Sequence, residues 1–275
     1  MSIWPNNKRI AVMLTFNFDA EALWLARNPQ NNTNFSAMSR GAYGPRQGIP
    51  RILAMLDSHK VKGTFFTPGW VAEKYESIVK EISDSGHEIA YHGYLHEEVM
   101  GISRDEEEKN MIKSESIIER ITGKKIVGHR APGGAMHPFT VEMIGKRGYL
   151  YSSSLRDCDN AYLHQAKDVA QKAVVELPID SIFDDATYYF FSLNSPVRRG
   201  IASARYMVNI WKDEFDGLAA EGDKVISLIM HPQLSGRTSR VNAISEFVGY
   251  MKSRGAWIAT SQQVASCFLA YKGVR

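Results

Sequence analysis

Short apolar runs alternate with amphipathic stretches along the whole chain, and this alternation carries most of the structural information. Residues 10–16 read as a buried strand, and 48–58 as a helix with Pro50 in its first turn. A second strand is expected over 63–67 and a helix over 71–83, stopped by Asp84-Ser85-Gly86. A third strand covers 88–92. The longest helical pattern runs over 104–122, with Ser103 and Glu106 at capping-box spacing and Gly123 closing it. Strand patterns follow at 126–130, 150–155, 174–179, 224–230 and 256–260, and helical ones at 138–147, 204–220, 241–252 and 262–271. Strand–helix alternation of this length implies an α/β fold with a parallel sheet and helices outside it. Seven or eight units suit a (β/α) barrel. An open doubly wound sheet would normally show a glycine-rich phosphate turn after the first strand, and here Asp19-Ala20-Glu21 follows instead. Residues 27–46 show no period and are expected to form a long polar loop. No linker divides the chain, so one domain over 1–275 is expected.

Composition narrows the class without naming a chemistry. With 33 basic and 30 acidic side chains the net charge is +3, too small for the basic stripe of a nucleic-acid binder. Two cysteines, Cys158 and Cys267, cannot form a disulfide scaffold and suit a reducing compartment. The apolar run at 10–16 is too short for a secretory core or a membrane span, and the aromatic run at 188–191 is shorter still. The expectation is a soluble, cytoplasmic protein with no nucleic-acid or membrane partner.

Candidate chemistry sits where predicted strands end, the face on which a barrel assembles its site. These ends are Asn17-Phe18-Asp19, His92-Gly93-Tyr94-Leu95-His96, Arg130-Ala131-Pro132-Gly133 and His231-Pro232. Two histidines four apart suit a transition-metal site, although the spacing alone is common. A zinc-protease reading fails, because it needs Glu directly after the first His and position 93 is Gly. Asp19 is the natural third ligand, since two His and one Asp leave coordination open for water and substrate. His231 reads either as a strand-end residue before Pro232 or as a general acid or base. His59, His87, His137 and His164 read as surface residues, and His129 stays ambiguous. Trp4, Trp211 and Trp257 read as packing groups, whereas Trp24 and Trp70 follow strand ends on the site face.

In combination these residues resemble the NodB-homology, or polysaccharide deacetylase, family. TFNFD at 15–19, HGYLH at 92–96, RAPGG at 130–134 and LIMHP at 228–232 stand in the family's order and span almost the entire chain. Ser39-Arg40-Gly41 and the stretch 48–53 are similar to a signal-less subgroup of peptidoglycan-deacetylase-like and allantoinase-like proteins. The resemblance implies a distorted (β/α) barrel in which Asp19, His92 and His96 bind a divalent metal, usually Zn2+. It implies that water on the metal attacks an N-acyl carbonyl and that His231 protonates the departing amine. Arg130 would orient the catalytic carboxylate, and Glu21, Trp24, Trp70 and Pro132 would line the substrate groove. Subgroup members tend to be homo-oligomers.

Two positions depart from the pattern. The family places Asp-x-Asp in the first motif, and its first Asp is the general base; here that position is Asn17. A carboxamide does not accept a proton near neutral pH. The readings left open are metal-supplied hydroxide assisted by Glu21, Asp157 or Asp159, a weak or inactive relative, and an engineered replacement. Gly133-Gly134 stand where relatives often carry an aromatic residue. The leading expectation is a metal-dependent amide hydrolase removing N-acetyl groups from an amino sugar or oligosaccharide. An allantoinase-like hydrolase of cyclic imides or ureides is the second, and a catalytically silent, metal- and ligand-binding relative the third. The small net charge weakly favours a neutral substrate of modest size.

Overall fold

The computed structural model describes residues 2–164, 173–191 and 201–274. Its centre is β1 (Ile10–Asn17), buried at every position. Such complete burial is what a strand covered on both faces requires. β1 lies parallel to β8 (Lys224–Met230) over seven residue pairs, Ile10 opposite Lys224 through Phe16 opposite Met230. Its other edge is shared: the first half pairs with β9 (Trp257–Ala259) and the second with β2 (Thr64–Thr67). From β2 the sheet continues through β3 (Glu88–Tyr91), β4 (Gly128–His129), β5 (Tyr151–Ser152) and β7 (Val175–Glu176), all parallel. β6 (Tyr162–Leu163) adds the antiparallel edge.

Backbone bonds beyond the regular strands bring the two ends of the sheet together. Asp184, downstream of β7, forms a parallel bridge with Ile229 of β8. The amide of Val225 also donates to the carbonyl of Asp159. The result is a distorted (β/α) barrel, as the alternation predicts. Helices Ile49–Ser58, Arg104–Thr122, Ala204–Glu221 and Thr238–Ser253 lie outside it and bury apolar stripes in one large cluster with Leu14, Phe16, Phe65 and Leu228. Ser103 caps the longest helix by accepting from the Glu106 amide, and Gly123 ends it at φ 68°. Among the described residues no helix is long and apolar enough to cross a membrane.

The differences from the sequence pattern have physical causes. The expected helix over 71–83 is two helices, Gly69–Lys74 and Glu76–Asp84, parted at Tyr75, whose hydroxyl donates to Glu21. The strands expected at 126–130, 150–155 and 174–179 shrink to two residues each. Single cross-strand bonds continue past them, such as Arg130 N–H to Tyr91 O and Ser153 N–H to His129 O, so the apolar run outlasts the regular ladder. The largest correction concerns 27–46, expected to be an irregular loop. It contains a short turn of helix, Pro29–Thr33, and the helix Phe35–Tyr43, capped by the side chains of Asn28 and Asn34. A wide helical turn, Gly44–Gly48, leads on to the next helix. The capping asparagines make this segment look loop-like in sequence. Its glycines fix its place: a Cβ on Gly41 would lie 2.6 Å from the Glu21 Cα, and one on Gly48 would lie 2.2 Å from the Pro232 carbonyl oxygen. The helical segment is thus packed against two loops that carry site residues.

Candidate active site

Asp19 follows β1, and His92 and His96 follow β3. The three come together as the strand ends predict. Asp19 and His92 are fully buried. His92 Nε2 lies 3.5 Å from Asp19 Oδ1, and His96 Nε2 lies 3.9 Å from Asp19 Oδ2. The backbone is unusual here. Ala20, directly after Asp19, has φ 45°, and His96 has φ 60°. Non-glycine residues rarely adopt this region, so the surrounding packing must offset strain of about 1–3 kcal/mol per residue. Gly93 at φ 77° makes the turn between the histidines, and a Cβ there would sit 2.7 Å from Glu97 Oε2.

The polar atoms of this group are the informative feature. Both Asp19 oxygens and His92 Nε2 are buried, with no hydrogen-bond partner among the described residues. An unpartnered buried carboxylate is costly, and a cation held between these atoms would satisfy all three. His92 Nδ1–H donates to the Arg130 carbonyl oxygen at 2.8 Å, which turns Nε2 toward Asp19. Backbone support of this kind is how metal-binding histidines are commonly oriented. Burial holds the His92 imidazole neutral, with its pKa well below the ordinary value, and His96 lowers it further by charge. Two imidazole nitrogens and one carboxylate fit zinc or a similar divalent transition metal.

His231 stands across from this group, with Nε2 3.6 Å from Asp19 Oδ2. Its other nitrogen, Nδ1, is 2.6 Å from Asp185 Oδ1. Asp185 Oδ2 accepts from the His231 backbone amide at 2.9 Å and from the Ser235 hydroxyl. Burial alone would discharge this imidazole, but the charge of Asp185 and its hydrogen bond outweigh it, and the pKa is pushed up to about 10. Pairing at Nδ1 leaves the proton on Nε2 aimed at Asp19. Asp185 and its neighbour Asp184 were not singled out from the sequence. The adjacent Asp pair heading the helix Asp185–Tyr189, with Asp184 as its cap, is the signal that could have marked them.

Arg130 is buried and makes five hydrogen bonds, every one to a neutral acceptor. Nε donates to the Ser153 carbonyl, Nη1 to Thr15 Oγ1 and to Asn17 Oδ1 at 3.0 Å, and Nη2 to the hydroxyls of Ser153 and Ser227. The guanidinium also lies 3.9 Å from the Phe66 ring centre. Burial pulls its pKa down to about 9. Thr15 and Ser227 are polar residues inside apolar strands, and that interruption is their sequence signal. Arg130 and Asn17 therefore meet through a neutral carboxamide in place of a carboxylate.

The remaining candidates divide differently. A cavity of about 260 Å³ opens among Asn17, His96, Arg130, Asp184 and His231. Glu21, Trp24, Trp70 and Pro132 are not among its lining residues. Glu21 is buried and held by the Tyr75 hydroxyl at 2.7 Å and Lys74 at 3.1 Å, so it is committed elsewhere. Trp24 lines a neighbouring groove with Arg40 and Phe191. Trp70 lies under the Lys74 ammonium, 4.8 Å from its ring centre. Pro132 is buried beside Gly93. Of the carboxylates considered as helpers, Asp157 accepts from the Tyr162 hydroxyl and Asp159 borders a separate pocket; Asp184 faces the cavity instead. The surface reading of the other histidines needs correction for two. His87 is buried and accepts from the Gly63 amide, with burial pulling its pKa to about 4. His164 pairs with buried Glu176 at 2.9 Å. His129 is buried and stacks on Tyr91.

Comparison with known proteins identifies the family and the fold. The polysaccharide deacetylase family model matches residues 42–152. A peptidoglycan deacetylase of Helicobacter pylori is 29% identical over 95% of this chain and 97% of its own length. The solved structure of a Mycobacterium smegmatis protein assigned as a polysaccharide deacetylase superposes with a TM-score of 0.93. It is 35% identical and covers 98% of this chain and 93% of that one. The Puue allantoinase shares the fold, with a TM-score of 0.84 at 24% identity, over 97% of this chain and 92% of that one. Motif order, barrel and near-full-length likeness together show that the chain belongs to the polysaccharide deacetylase family.

Proposed function

We propose that the protein is a metal-dependent hydrolase of amide C–N bonds that removes N-acetyl groups from an amino sugar or short oligosaccharide. The observation that carries this reading is the set of three buried, unpartnered atoms on Asp19 and His92, with His96 beside them. Asp19, His92 and His96 would hold the ion, most simply Zn2+. When bound, a divalent metal polarises an acyl oxygen and lowers the pKa of a water molecule. His231 holds a proton on Nε2 and delivers it to the departing amine, while Asp185 fixes the ring and keeps it charged. Arg130 positions the Asn17 carboxamide. Asn17 cannot take the proton that the attacking water gives up, so that proton passes to bulk solvent and turnover is weak relative to a carboxylate at that place. The two free cysteines suit a reducing compartment, so the reading includes a cytoplasmic protein, and family resemblance adds a homo-oligomer.

The silent-relative reading keeps one specific support: Arg130 is fully satisfied by neutral acceptors, so the site is self-consistent without a base. Acetate release from acetylated chito-oligosaccharides and from N-acetylmuramic acid by zinc-loaded wild type and Asn17→Asp separates the two. Slow wild-type release that rises in Asn17→Asp supports the hydrolase. No release from either protein contradicts it.

A further inference from the structure

The cavity is more cationic than the chain as a whole. Among the described residues, Arg27, Arg130, Arg156 and His231 line it together with one acidic side chain, Asp184. Asp184 Oδ1 caps a helix through the Ala186 amide and lies 3.7 Å from His231 Nδ1, on the His231 side of the cavity. The departure in the third motif explains how Arg156 reaches the cavity. Gly134 has φ 72°, and a Cβ there would lie 2.4 Å from Arg156 Nη2 and 2.7 Å from Nη1. A Cβ on Gly133 would meet nothing within 4 Å, so this wall is open. A side chain in place of Gly134 would fill the room that the guanidinium uses.

Arg156 is exposed, with its guanidinium at the cavity and few hydrogen bonds to the protein. Its Nη1 reaches only the carbonyls of Gly134 and Ser154, at 3.4 and 3.3 Å. Among the described residues no carboxylate forms an ion pair with it. The nearby acids are taken, Asp157 by the Tyr162 hydroxyl and Glu176 by His164 and the amides of Ser154 and Leu155. Asn17 removes the anion that would have stood beside Arg130, and the charge of Arg156 works against that of Arg130. Arg130 and Arg156 line the same cavity, and although Asp184 and Glu176 offset part of the charge at Arg130, neither forms an ion pair with Arg156; a guanidinium fork so placed matches a carboxylate well.

We propose that Arg156, admitted by Gly134, is a specificity-determining residue that receives a carboxylate carried by the substrate. The preferred substrate is then a small N-acyl compound with a carboxylate close to its amide, not a neutral N-acetyl sugar. This rests on the hydrolase reading above and replaces the neutral substrate suggested by net charge.

The test compares N-acetylmuramic acid with its methyl ester, which differ only in that carboxylate. Calorimetric titration uses zinc-loaded wild type, Arg156→Gln and Arg156→Lys, with zinc content measured on the same samples. Wild type should bind the acid about tenfold or more tighter than the ester, in line with a charged hydrogen bond. Arg156→Gln should bring the ratio close to one by weakening the acid alone, and Arg156→Lys should fall between. Equal binding of acid and ester by wild type overturns the proposal, as does a preference that survives in Arg156→Gln or a failure to bind either. If zinc is bound in those cases, the hydrolase reading survives; if zinc is absent, that reading fails as well.

Discussion

Two clusters of histidine and carboxylate meet beside the cavity, His231 Nε2 3.6 Å from Asp19 Oδ2, and they are built on opposite principles. Asp19, His92 and His96 leave buried atoms unpartnered, whereas Asp185 spends its oxygens on His231 and Ser235. Composition alone would make either set a possible metal cage. Satisfaction of the hydrogen bonds tells them apart. The first set is open and lacks a cation's worth of charge; the second is closed and stores a proton.

The strongest way to sharpen this contrast is to put a carboxylate between the clusters. Asn17→Asp should raise amide hydrolysis by roughly 10²–10⁴-fold, the usual contribution of a general base, measured as initial rates on zinc-loaded protein. An unchanged rate would show that position 17 does not limit the chemistry. Breaking the closed set comes next. Asp185→Asn should destabilise the fold by about 3–5 kcal/mol, because the buried imidazolium loses its partner, as read from urea unfolding, while zinc uptake persists.

The same pair sets a pH dependence. His231 has a folded pKa near 10, above its unfolded value. Its contribution to stability is therefore complete below about pH 6.5 and fades as pH rises through 10. Chelator-treated wild type should lose stability across that window, and Asp185→Asn should lose less. In the open set, zinc at a hundredfold excess over its dissociation constant should stabilise wild type by about 2.7 kcal/mol, and Asp19→Asn should show no such gain in thermal melts.

The smallest effects distinguish the supports of the two clusters. Gly41→Ala presses on the backbone of Ala20 and Glu21 beside Asp19, and Gly48→Ala on Pro232 beside His231. Each should cost about 1–3 kcal/mol by overpacking. Only Gly41→Ala should weaken zinc binding, checked by competition with a chromophoric chelator.

Much of this was legible in the sequence, because local pattern and strand-end position are local properties. β1, β8 and the helices Arg104–Thr122 and Pro138–Arg147 follow directly from periodicity and caps. Asp19, His92 and His96 stood out because two candidate ligands share one short motif. The helix Phe35–Tyr43 was hidden, since its polar face and asparagine caps imitate a loop while its stabilising contacts lie far away in sequence. Asp185 was hidden for a similar reason: it meets His231 across 46 positions, and no spacing rule links them. The acceptors of Arg130 come from β1, β8 and the segment after β5, so only the folded sheet assembles them.

The central claim is that the open cluster holds one ion and the closed cluster none. Elemental analysis of purified, zinc-equilibrated protein tests it directly, on wild type, the His92→Ala/His96→Ala double variant and His231→Ala. The account predicts one divalent ion per chain in wild type and His231→Ala, and none in the double variant. Two ions in wild type, no ion at all, or loss of the ion only in His231→Ala would contradict it.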